Sequence, residues 1–263
     1  KTIAKRQYES KIELKPERGN IYDRNMNTLV SNAIYFSFGA DPKILEDNTS
    51  IINLFSELFN RPKDYYKNKL NKNSRFVWLE RMVPEDIANR IMSRKIEGLI
   101  RREEPRRVYI NNEIAGQILG CTNIDNAGLS GLELQFEKVL HGEEGFMILQ
   151  RDGKGRVVPS LDLPKQEPVN GANIVLTIDQ IYQTIVDEEL HKGAMELEAD
   201  AATAVMIDPK TGAILAMSNY PAIDPNKFDK ATPGQNRIRA ISDMFEPGST
   251  FKVSSMMVAL DDS

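Results

Sequence analysis

The sequence predicts an α+β fold in two domains, residues 1–165 and 166–263, on three observations. Charge is unevenly divided: residues 1–110 carry 22 Lys and Arg against 15 Asp and Glu, while residues 111–263 carry 12 against 23. A proline-rich polar stretch from Pro164 to Gly171 marks a boundary. Beyond it the pattern runs strand, helix, hairpin, loop and apolar helix, which fits an α/β domain built on an antiparallel sheet.

The first domain reads as short strands alternating with amphipathic helices. Lys15 to Asn25 combines turn formers with charges, and the β-rich runs Thr28-Leu29-Val30 and 34–40 after it read as two short strands. The charges Arg18, Asp23 and Arg24 are read as ion pairs fixing those strands. Asp41-Pro42 ends the second run. Apolar residues at 51, 54, 55, 58 and 59 then follow the helical period over 48–60. A strand follows at 76–79, and a helix opened by Pro84 runs to Ser93. Leu99-Ile100 and Val108-Tyr109-Ile110 flank the proline-broken stretch 101–107, which is too short and too mixed in sign for a nucleic-acid patch. A small helix is expected over 113–119, a Gly-flanked amphipathic helix over 128–142, and a hairpin turn at Asp152-Gly153-Lys154-Gly155.

In the second domain, Ile174 to Ile178 reads as a strand, and Asp179 caps a helix over about 180–198. Strands at 201–207 and 213–218 are joined through Asp208-Pro209-Lys210-Thr211-Gly212. The chain then reaches Glu246-Pro247-Gly248-Ser249-Thr250-Phe251-Lys252. Val253 to Leu260 follows, apolar on nearly every side as expected of a buried helix.

Composition narrows the function classes. With 41% hydrophobic and 27% charged residues, the 263-residue chain has the make-up of ordinary globular domains. Its net charge of -4 argues against a dedicated nucleic-acid binder. Cys121 is the only cysteine, expected as a buried small hydrophobe, and His141 and His191 stand in no metal-ligand spacing, so no metal or cofactor is expected. No run of 18 apolar residues occurs. The opening Lys1-Thr2-Ile3-Ala4 carries neither an initiating Met nor a signal peptide, so the sequence is expected to start part-way into a gene.

The candidate chemistry lies at Ser249 and Lys252. Pro247-Gly248 forces a turn, which puts Ser249 at a helix N-terminus with Lys252 three residues on, upon the same face. An ammonium at the positive end of a helix and walled by apolar side chains is expected to lose its proton more easily, and a neutral lysine activates a serine without histidine. Roughly one S-x-x-K arises by chance in a chain of this length, so the motif needs context.

The context is an ordered set of motifs. Arg18-Gly19-Asn20-Ile21-Tyr22-Asp23-Arg24-Asn25 stands near the start, and Gly128-Leu129-Ser130-Gly131-Leu132-Glu133 in mid-chain trails into Leu140-His141-Gly142. Asp152-Gly153-Lys154-Gly155-Arg156, Leu176-Thr177-Ile178-Asp179 and Ala213-Ile214-Leu215-Ala216-Met217 follow, and Phe245 to Lys252 closes the set. In this order they resemble the extracytoplasmic portion of class B penicillin-binding proteins, nearest to the cell-division peptidoglycan D,D-transpeptidases.

The resemblance implies a non-catalytic N-terminal pedestal domain followed by the first part of a penicillin-binding transpeptidase domain of the serine β-lactamase-like fold. It implies that Ser249 attacks a peptidoglycan stem peptide ending in D-Ala-D-Ala, that Lys252 is the base, and that β-lactams acylate the same serine. The implied partners are membrane-bound division proteins. The implied location is the outer face of the cytoplasmic membrane, with a single-pass anchor upstream of Lys1. The family's S-x-N and K-[ST]-G motifs do not follow Lys252. The sequence is therefore expected to stop inside the catalytic domain and to be inactive by itself. Lys210-Thr211-Gly212 precedes the serine and reads as turn chemistry, and Asn25-Met26 stands where the family commonly has Asn-Gly. Two other readings stay open: an interaction module without catalysis, and a β-lactam sensor or β-lactamase sharing S-x-x-K.

Overall fold

A computed structural model describes residues 9–43, 45, 48–70, 76–151, 157–158 and 164–261. Its strands are β1 (Glu9–Leu14), β2 (Ile21–Tyr22), β3 (Thr28–Ala40), β4 (Val77–Val83), β5 (Leu99–Tyr109), β6 (Gly145–Arg151), β7 (Val157–Val158), β8 (Lys165–Gln166), β9 (Ile174–Val175), β10 (Ala202–Ile207) and β11 (Ile214–Tyr220). Its α-helices are α1 (Asn48–Phe59), α2 (Lys63–Leu70), α3 (Glu85–Met92), α4 (Gly116–Leu119), α5 (Gly131–Gln135), α6 (Glu137–Leu140), α7 (Gln180–Glu196), α8 (Arg239–Ser242) and α9 (Lys252–Asp261). The mixture is the α+β class expected.

β3 is the spine of the first sheet. It pairs antiparallel with β5 from Val30↔Tyr109 to Ala40↔Leu99, and on its other side with β4 and β2, while β9 adds parallel to β2. The two short strands read at 28–30 and 34–40 are thus one. Asn32 does not break it because its side chain is used inside the fold, donating to Arg18 O at 2.6 Å and accepting from Arg107 at 3.1 Å.

β5 is likewise unbroken, contrary to the reading of 101–107 as an interruption. Pro105 lies opposite Ile34 on a strand whose other side is open. Its carbonyl accepts from Asn126 Nδ2 at 3.0 Å rather than from β3, so the proline nitrogen, on the same side, removes no ladder bond.

One apolar cluster packs Phe36, Phe38 and Leu79 of the sheet against Ile51 and Phe55 of α1, Tyr66 of α2 and Ile91 of α3. Phe38, Phe55 and Tyr66 are fully buried, and Phe55 meets both other rings edge-on at 6.0 and 5.8 Å. A second cluster gathers Ile21, Val30, Tyr109, Leu119 and Leu140 under the other end of the sheet. The helix expected over 128–142 is divided: Gly131 has φ +56°, so α5 starts there, and Phe136 at φ −104°, ψ 23° separates it from α6. The expected turn at 152–155 lies outside the described residues.

β1, β6, β7 and β8 form a separate antiparallel sheet. The strand expected over 174–178 is confined to Ile174–Val175. Past it the backbone changes sheets: Leu176 N–H donates to Tyr22 O and Asp179 N–H to Leu215 O, each at 2.9 Å. β10 and β11 pair antiparallel, with α7 against β11.

Candidate active site

The turn before Ser249 is set by glycine. Gly248 has φ +51°, a conformation that side chains with a Cβ adopt only at a cost, and it turns the chain into a 3-10 segment, Gly248–Phe251. Thr250 supports the turn, donating to Pro247 O through its backbone N–H at 3.0 Å and its hydroxyl at 2.5 Å. The Lys252 N–H then reaches the Ser249 carbonyl, so the two residues are joined across one 3-10 turn. Side chains three apart eclipse on such a turn, so the serine hydroxyl and the lysine stem share one line more closely than on an α-helix.

The segment leading to this turn is tied to the sheet. Arg239 N–H donates to Asn219 Oδ1 of β11 at 2.8 Å, and Asp243 takes Arg237 at 2.5 Å and Arg239 at 3.0 Å. The Ser242 hydroxyl foremost, with both arginines, holds the Asp243 carboxyl below the usual carboxylate range.

One expectation is overturned. α9 is not buried: Val253, Met256, Met257, Val258 and Leu260 are all exposed, Val253 by 66%. Nor do the described residues wall Lys252 with apolar side chains, since it is exposed together with Ser249. The apolar composition read for this helix is correct, but nothing among the described residues packs on it.

Lys210-Thr211-Gly212 is turn chemistry. Asp208 accepts from Lys210 N–H at 2.9 Å and Thr211 Oγ1 at 2.8 Å, bonds that keep its carboxyl below the usual range, and Gly212 has φ +74°. Cys121 is buried beside the Ser130 hydroxyl, and burial raises its thiol pKa. Among the described residues no group of His, Cys, Asp and Glu is placed to hold a metal ion.

Two polar features escaped the sequence reading. Arg18 is buried as expected, but its partners are distant: Glu133 at 2.6 Å and Glu137 at 2.7 Å, with Arg107 on Glu133's other oxygen at 2.6 Å. α7 turns a polar face inward. Gln183 is fully buried, exchanging bonds with the Met217 backbone at 2.8 and 2.9 Å. Asp187 accepts from Gln183 and Ala115 N–H and lines a cleft of about 340 Å³ with His191 and Tyr220. The period-four stripe Gln183, Asp187, His191 was its signal.

Comparison with known proteins places these features in a lineage. Residues 13–176 match the family model of the penicillin-binding protein dimerisation domain, and residues 202–263 that of the penicillin-binding protein transpeptidase domain. The chain is 39% identical over 248 residues to a probable peptidoglycan D,D-transpeptidase PenA of Neisseria meningitidis, covering 93% of this chain and 43% of that protein. It is 34% identical over 255 residues to the peptidoglycan D,D-transpeptidase FtsI of Escherichia coli, covering 94% and 43%. It thus spans under half the length of these relatives. Among solved structures, a peptidoglycan synthetase from Bifidobacterium adolescentis superposes with a TM-score of 0.65 at 22% identity, covering 94% of this chain and 51% of that one. A penicillin-binding protein (PBP2) in complex with MreC from Helicobacter pylori superposes with a TM-score of 0.67 at 21% identity, covering 84% and 44%. These two likenesses concern the fold.

Proposed function

The chain belongs to the penicillin-binding proteins, and from that membership we propose that it comes from a peptidoglycan D,D-transpeptidase acting in cell-wall synthesis at division. Ser249 is the nucleophile and Lys252 its base. The Ser249 oxygen attacks the carbonyl of the penultimate D-Ala of a stem peptide, Lys252 takes the hydroxyl proton, and the terminal D-Ala leaves with a proton returned to its nitrogen. An amine of a neighbouring strand then takes the acyl group and frees the serine. The first N–H groups of a helix have no intrahelical partner, so the N–H of Ser249 serves as one oxyanion donor, effective because the charge appears only in the transition state.

The observation that carries the reading is the single 3-10 turn joining Ser249 to Lys252, inside the stretch matched by the transpeptidase model. The two-domain division, 1–165 and 166–263, belongs to the same proposal, as does placement outside the cytoplasmic membrane. Among the described residues no helix is long and apolar enough to cross a membrane. The test is labelling of the full-length protein with a fluorescent penicillin. Label is expected on Ser249 and is expected to vanish in Ser249→Ala; label that survives this substitution overturns the assignment.

A second reading concerns the first domain. Its match to the dimerisation-domain model, and the PBP2 relative solved with MreC, favour a docking role toward other membrane-bound proteins of wall synthesis. Crosslinking in cells from sites on β4 and α3 would test it; absence of any protein adduct would count against it.

A further inference from the structure

A cleft of about 470 Å³ lies where the end of β5 meets the 3-10 segment Pro225–Lys230. One wall carries Arg107 and Tyr109 of β5, the other Phe228 and Asp229. Asn226 locks the walls together, its side chain donating to Tyr109 O at 2.8 Å and accepting from Tyr109 N–H at 3.1 Å.

Two polar atoms of the β5 wall have no partner. Arg107 is 3% exposed; its Nε donates to Glu133 and its Nη1 to Asn32, but its Nη2 finds no acceptor. Tyr109, also 3% exposed, is two residues on and so faces the same way, and its hydroxyl is unpaired as well. Burial foremost, and then Glu133, raises the Tyr109 pKa, so this hydroxyl stays a donor. A buried donor left unpaired costs roughly 1–3 kcal/mol, and more when it is charged. Two of them on one cleft wall favour acceptor oxygens.

The remaining lining selects the ligand class. Met82, Leu129 and Phe228 supply apolar surface. Positive charge is nearly balanced: Glu133 holds Arg107, Glu104 and Asp125 hold Arg81, and Asp229 stands at the cleft. Among the described residues Arg106 has no carboxylate partner; it lies over the Tyr35 ring at 4.9 Å. Such a balance suits one negative charge and opposes two. We propose that this cleft binds a carboxylate bearing an apolar substituent, its two oxygens taken by Arg107 Nη2 and Tyr109 Oη. The occupant touches both walls that Asn226 joins, and therefore tightens the junction between β5 and the 225–230 segment. This site is separate from Ser249 and does not depend on the chemistry assigned there.

The experiment is a calorimetric titration of the full chain with phenylacetate, phenylacetamide and phenyl phosphate. Phenylacetate is expected to saturate one site, and the neutral amide and the dianion to bind at least about tenfold more weakly. Tyr109→Phe removes only the hydroxyl and is expected to weaken phenylacetate by about tenfold. Leu129→Trp, at a half-exposed position away from the Arg107–Glu133 pair, fills the cleft and is expected to abolish binding. Failure to saturate by ~10 mM, equal binding of the amide or tighter binding of the phosphate, or wild-type affinity in either variant overturns the proposal.

Discussion

Asp23 Oδ2 accepts the backbone N–H of Gln180 at 3.1 Å, so a carboxylate 157 residues upstream helps to cap α7. Asp179, the local cap, takes Ile181 N–H at 3.0 Å and donates its own N–H to β11. Asp23 is fully buried and also accepts from Asn25 N–H, Asn27 N–H and Asn27 Nδ2 at 2.8, 2.8 and 2.9 Å. Asp23→Ala leaves these donors unpaired and is expected to cost about 3 kcal/mol in urea unfolding. Burial works to raise the Asp23 pKa, but the bonds from Asn27, Gln180 and Asn25 outweigh it and hold it below 3.8. A depressed carboxyl adds stability above its unfolded pKa and loses it as pH falls through the native value. The gap between wild type and Asp23→Ala should therefore be full above about pH 4 and close on further acidification.

Met26 follows Asn25 where related sequences commonly place glycine, and its φ is +66°. Its side chain is 60% exposed, so little packing compensates for the left-handed backbone, which costs roughly 1–2 kcal/mol in a residue with a Cβ. Met26→Gly should raise stability by up to about 1 kcal/mol once the extra chain entropy of glycine is counted, measured as a shift in urea midpoint at constant m-value.

The sequence exposed the second domain more clearly than the first, for physical reasons. Asp179, the turn at Asp208–Gly212 and the 3-10 turn at Ser249 are local: cap, loop and glycine are all contiguous residues. α2 was invisible because only Tyr66 and Leu70 face inward on an otherwise polar segment, too few to show a period. β5 was misread because its charges have distant partners: Glu104 binds Arg81 and the Ser37 hydroxyl, Arg107 binds Glu133, and Arg101 and Arg102 lie over aromatic rings. Local pattern cannot reveal that Pro105 has its nitrogen on an open edge.

Glu133 is fully buried between Arg18 and Arg107, and both guanidinium groups depend on it. Glu133→Gln keeps the shape but leaves two cations without their shared charge. It is expected to destabilise by about 3–5 kcal/mol, read from urea unfolding. Glu137, which touches only Arg18 and is partly exposed, should matter less: Glu137→Gln is expected to cost about 1–2 kcal/mol.

Asp187 presents the opposite electrostatic case to Asp23. Burial raises its pKa more than the hydrogen bonds from Ser218, Gln183 and Ala115 lower it, and Glu113 adds repulsion. A raised carboxyl pKa means that stability is complete below the unfolded value, about 3.9, and falls as pH rises through the native value. Asp187→Asn removes the charge, so its stability relative to wild type should improve steadily from pH 4 to neutrality. A difference that stays flat across this range would show that the charge is relieved in the native cleft.

Ser249 and Lys252 share a turn, but in the 263-residue chain the line between them faces open space. Oxyanion stabilisation needs preorganised donors in a water-excluded site, and removing one donor of such a pair costs roughly 10²–10³ in rate. The exposed apolar side chains of α9 leave Lys252 in water, where an ammonium keeps its proton and is a poor base. The 263-residue chain purified by itself is therefore expected to form no stoichiometric penicilloyl adduct by intact mass spectrometry, under conditions that label the full-length protein completely. Stoichiometric adduct on Ser249 of the 263-residue chain would show that the turn alone, without an enclosing wall, suffices to activate the serine.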